Sequence, residues 1–146
     1  MTEELVTLET AKLLKEKGFY EQTLFAYKNN GDLYQDPNRI KLIYNSMPVP
    51  DLCKEFYLCV SYGPCYKCRK AVYLTSAPSQ SIAQKWLRET KNIHVEISYM
   101  YENYWLYDIL TIPTHDLIGL SDRHIVRYNT YEEALEAGIQ EALKLI

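Results

Sequence analysis

A chain of 146 residues with 47% hydrophobic and 24% charged residues is one domain of ordinary size, too apolar for wholesale disorder and long enough to bury a core without a metal or bridge to hold it. A formal net charge of -3 supplies no global positive field for phosphate backbones and no dense acidic surface that would imitate them, so composition argues against nucleic acid as a partner. Tyrosine is in surplus, fourteen against three Phe and two Trp. A buried Tyr needs a partner for its hydroxyl, so many of these rings are expected half exposed, where they can form a contact surface.

The N-terminal stretch MTEELVTLETAKLL is charged and helix-like, has no basic-then-apolar signal pattern, and no later run approaches the length of a membrane span. A cytoplasmic location, with reduced thiols, is the expectation. The first helix is predicted over about residues 7 to 17: Thr7 is placed to cap, Val6 and Ala11 sit at staple spacing, Gly18 supplies a left-handed stop, and Phe19 can fold back on Leu14. It has the look of the first helix of a helix-turn-helix, but FYEQTLFAYKNNGDLYQ carries no helical apolar stripe and contains Asn30-Gly31, so two short strands are expected instead of a recognition helix.

Residues 36 to 52 hold Pro37, Pro48 and Pro50 around IKLIY, which suggests an edge strand between irregular loops. FYLCVSY and KAVYLT read as strands on either side of Gly63-Pro64. From Ser76 the start signals in SAPSQSIAQKWLRETKN predict a helix near 78 to 91 with Ile82, Ala83, Trp86 and Leu87 on one face. HVEISYMY and YWLYDILTI alternate around Glu102-Asn103 and predict a central hairpin over 94 to 111. HIVRY is expected as a third strand. Thr130 and Glu133 then form a capping box for a last helix over 130 to 145, whose buried face holds Leu135, Ile139, Ala142, Leu143 and Ile146.

The sum is a single α+β domain, an antiparallel sheet with three principal helices, its C-terminal half in helix-strand-strand-strand-helix order. Double-stranded RNA binders share that order. They place lysines at the start of the last helix, where this chain has Tyr131, Glu132 and Glu133. The trio Lys67, Arg69 and Lys70, beside the cysteines, is the best place to look for a local basic patch.

Cys53, Cys59, Cys65 and Cys68 give enough thiolates for a tetrahedral zinc site, yet only Cys65 and Cys68 have the two-residue gap of a zinc knuckle. The spacing favours small core residues and free turn thiols, with a zinc-binding module as the alternative. A redox pair wants its first cysteine at a helix start, and RKAVYLT looks extended. His94, His115 and His124 are scattered without a carboxylate or serine pattern beside them, and no phosphate loop or nucleophile elbow is present, so a small enzyme is the weaker alternative. The cluster Tyr99, Tyr101, Tyr104, Trp105 and Tyr107 spans both strands of the hairpin. It is either ordinary cross-strand pairing or a binding face for another protein or a second copy of the chain.

The blocks VTLETAKLLKEKGF, SAPSQSIAQKWLRE with NIHVEI, and YNTYEEALEAGIQEALKLI resemble those of small uncharacterised proteins of phages, prophages and other mobile elements of gut bacteria. The resemblance implies origin and a host-cytoplasmic location, with no catalytic residue to carry over. It also implies a variable central insert, about residues 36 to 75, which contains the cysteines.

Overall fold

The computed structural model describes residues 4–28, 30–35, 48–50, 71–119 and 126–146. The expected strands IKLIY and FYLCVSY, all four cysteines, the Lys67, Arg69 and Lys70 trio, and His124 lie outside these residues. Within them the order is α1 (Leu8–Glu16), β1 (Phe25–Tyr27), β2 (Leu33–Gln35), β3 (Pro48–Pro50), β4 (Ala71–Tyr73), β5 (Thr75–Ser76), α2 (Gln80–Lys91), β6 (Ile93–Met100), β7 (Tyr104–Thr111) and α3 (Tyr131–Leu145). The fold is α+β, with antiparallel pairing throughout.

Each helix begins and ends where its end residues require. Thr7 Oγ1 accepts from the Thr10 amide at the start of α1. At its end Gly18 takes φ 94°, Phe19 N–H donates to Leu14 and Gly18 N–H to Lys15, the paired bonds of a Schellman motif. Val6, Ala11, Leu14 and Phe19 are all fully buried, so staple and cap close on the core. Ser79 caps α2 and Asn92, at φ 55°, turns the chain out of it into β6. Thr130 Oγ1 accepts from Glu133 N–H, but Glu133 returns its carboxylate to Asn129 N–H instead of to Thr130, a capping box displaced by one residue.

β1 pairs with β2 around the Asn30-Gly31 loop, as expected, and with β5 on its other side. AVYLT, the described part of KAVYLT, is divided between β4 and β5, and β4 pairs with β3. Pro48 and Pro50, two apart on β3, lack N–H groups on the same side of their strand, which suits an edge. The long hairpin of β6 and β7 runs from Ile93↔Thr111 to Met100↔Tyr104. The third strand expected from HIVRY is, over its described part, a single bridge: Tyr128 and Trp105 exchange both backbone hydrogen bonds, at 2.8 and 3.0 Å.

Odd-numbered hairpin residues face the helices. Ile93, Val95, Tyr107 and Ile109 are buried there beneath α2 and α3, with Leu87, Leu135, Ile139 and Leu143 from the helices. Phe19 meets Trp86 edge-on at 5.6 Å, tying the end of α1 to α2. Burial of each such side chain stabilises the fold by roughly 2–3 kcal/mol. Ile82, placed on the buried face by periodicity, is 41% exposed: it stands to the side of the buried stripe Gln80, Ala83, Trp86 and Leu87 and borders an apolar groove with Leu24 and Leu33. Gly138 lets α3 come down onto the sheet: a Cβ there would lie 2.5 Å from Val95 Cγ1 and 3.0 Å from Tyr107 Cγ.

Candidate interaction surface

The aromatic cluster divides along the length of the hairpin. Tyr107 is only 9% exposed, so this ring is a core residue packed under α3, and its removal would damage the fold before any surface. Trp105, two pairs further out, is half-buried and held on two sides, by Tyr99 at 4.9 Å and by Tyr131 of α3 edge-on at 5.5 Å. Beyond that contact the ribbon leaves the body of the protein. Tyr99 is 58% exposed and Tyr101, in the turn, 91%.

The turn itself is fixed. Glu102 and Asn103 both take positive φ, and the Tyr99 hydroxyl donates to Asn103 Oδ1 across it. On the opposite face Arg127 lies over the Tyr104 ring at 4.4 Å while its Nη1 reaches Glu102 Oε2 at 3.3 Å. The tip thus presents two exposed phenol rings on a backbone braced from both faces, which limits the conformational entropy lost when they make contact.

The backbone edge of β6 belongs to the same surface. Trp105 spends its N–H and C=O on Tyr128, so in the alternating antiparallel pattern its partner Tyr99 turns its own backbone groups away from β7. Ile97 and Val95 share that orientation. The Val95 carbonyl is met there by the side chain of Gln84, at 2.7 Å. Among the described residues no strand lies beyond β6.

Two concavities lie elsewhere. A cleft of about 450 Å³ opens among Glu4, Glu132, Glu133, Glu136, Tyr128 and Gln140. One wall of it is a polar clasp that sequence reasoning missed. The Glu136 carboxylate accepts from Thr7 N–H (2.8 Å), the Thr7 hydroxyl (2.8 Å), the Thr10 hydroxyl and, on its other oxygen, Gln80 Nε2 (3.0 Å). Glu136 therefore does for the N-cap of α1 what the third helical residue does in a capping box, from a distant helix. Tyr27 also sits near; burial first, then the Glu136 charge, hold its phenol above the ordinary range, and its hydroxyl donates to the Val6 carbonyl. No local signal could have found this clasp, since its partners are 129 positions apart along the chain. The second concavity, also about 450 Å³, is an apolar groove among Leu5, Leu24, Phe25, Leu33, Pro78 and Ile82.

The described histidines join neither concavity. His94 is half-buried on β6, with its Nδ1 enclosed and without a hydrogen-bond partner, although period-two alternation along HVEISYMY sets it on the side away from Val95 and Ile97, where a solvated ring is expected. His115 is exposed in the loop after β7. Among the described residues no group of three or more His, Cys, Asp or Glu side chains is disposed to hold a metal ion, and no helix is long and apolar enough to cross a membrane. No protein-family model matches the chain, and neither a curated protein nor a solved structure matches it.

Proposed function

We propose that the chain is a non-catalytic accessory protein of the phage and mobile-element type, which acts by binding protein through the aromatic tip of its long hairpin. The observation that carries the reading is the pair Tyr99 and Tyr101, 58% and 91% exposed on a turn braced by Trp105, Tyr131 and Arg127. Exposed, rigidly mounted tyrosines concentrate affinity in protein interfaces, because a large ring is buried on contact while few rotors are frozen. The resemblance of three sequence blocks to mobile-element proteins supports the type. A catalytic reading draws less support, for His94 and His115 lie apart, one half-buried in a strand and the other in an exposed loop.

The test is a double substitution, Tyr99→Ser with Tyr101→Ser. Affinity capture with the wild type and with this variant, each checked for an unchanged thermal transition, should show bound protein, of any kind including the chain itself, lost from the variant. Equal capture by the two would remove the tip from consideration.

A further inference from the structure

Resting on that reading, we infer that the partner is a second copy of the chain, joined through the outer edge of β6 so that two hairpins make one four-stranded antiparallel sheet, β7-β6-β6-β7. Natural edge strands are blunted by lysines, prolines, bulges or inward-pointing charges. The segment Ile97-Ser98-Tyr99-Met100-Tyr101 has none of these: no charge, no proline and no glycine, with Glu96 and Glu102 standing just outside it. Its outward backbone groups are those of Ile97 and Tyr99, by the alternation that the Trp105–Tyr128 bonds and the Gln84 contact both fix.

The same pattern selects the register of a two-fold pair. Centring on Glu96 sets that carboxylate opposite its own copy. Centring on Tyr99 sets Glu96 opposite Glu102, again like charges. Centring on Ile97 pairs Val95 with Tyr99, and the Val95 carbonyl is already met by Gln84. Centring on Ser98 keeps like charges apart and sets Val95 opposite Tyr101, which lies in the turn beyond the end of β6 and asks nothing of the occupied carbonyl. Ile97 then pairs with Tyr99 of the second copy twice over, giving four main-chain hydrogen bonds; Glu96 lies opposite Met100, and the two Ser98 side chains meet on the axis. On the helix-facing side each Ile97 packs against a Tyr99 already stacked on its own Trp105, so the aromatic row runs unbroken through the junction.

Sedimentation velocity of the full chain over a dilution series from about 1 to about 500 µM is the direct measurement, a span that covers dissociation constants from tight to weak. The wild type is expected to pass from monomer to dimer. Ser98→Lys and Ser98→Glu, which place like charges side by side on the axis, should each stay monomeric at the top of the series, and their equimolar mixture should associate. That rescue also shows that both variants are folded. Independently, hydrogen exchange on the wild type should slow at the Ile97 and Tyr99 amides as concentration rises. A wild type monomeric throughout, a dimer indifferent to Ser98→Lys, or edge amides insensitive to concentration each overturns the proposal. A monomeric chain that still loses a foreign partner in the Tyr99 and Tyr101 variant would overturn the self-pairing alone, whereas a Ser98-sensitive dimer with tip-independent capture would overturn the tip reading alone.

Discussion

The two ends of the β6–β7 hairpin are made of the same kind of residue and live in different surroundings. At the base, Val95, Ile109 and Tyr107 are sealed beneath α2 and α3, with exposures of 0%, 1% and 9%. At the tip, Tyr99 stands on the same face of the same strand and is 58% exposed. The difference comes from where α3 begins: its first residue, Tyr131, reaches Trp105 and covers nothing beyond. Side-chain type therefore says which face of a ribbon is apolar, while the length of the covering helix says how much of that face becomes core. The uncovered remainder of the apolar stripe stays at the surface.

That contrast can be broken most forcefully from the base. Ile109→Ala removes a fully enclosed side chain and should cost about 3–4 kcal/mol, read as a drop in the denaturant midpoint at constant slope. Gly138→Ala forces a methyl into the space of Val95 and Tyr107 and should cost about 2–3 kcal/mol, although alanine favours helix by up to about 1 kcal/mol over glycine. A gain in stability there would mean that α3 can lift off the hairpin without penalty. Glu136→Ala leaves the Thr7 amide without its acceptor and removes one of the two acceptors of Gln80 Nε2, and should cost about 2 kcal/mol, with α1 amides exchanging faster while hairpin amides hold. The smallest effect is at the tip, where Tyr101→Ser, at 91% exposure, should change stability by less than about 0.5 kcal/mol. A large loss there would erase the distinction between the ends.

Much of the fold was legible because it is written in local chemistry. Thr7 with Gly18, the start signals after Ser76, and Thr130 place three helices to within a residue or two, and period-two alternation with the Glu102-Asn103 turn fixes the long hairpin. The residues that escaped reading depend on depth or distance. Tyr107 and Tyr99 have the same alternation phase, so nothing along the strand separates core ring from surface ring. Ile82 fits the stripe of α2 yet stands at its margin, over the apolar groove beside Leu24 and Leu33. Gly138 reads as a weak helix residue until α3 is laid against Val95. Glu136 and Gln80 look like ordinary exposed helix residues, and only the convergence of three helix starts makes them partners.

The capping of α1 by Glu136 has a consequence for how the chain is made. A ribosome releases Thr7 and Thr10 long before the residue that completes their hydrogen bonding, 129 and 126 positions later. A lone nine-residue helix is marginal in water, so α1 stays provisional until α3 arrives. Closure of that long loop links α1 to α3 and makes completion of this fold a concerted event that waits for its most distant contacts.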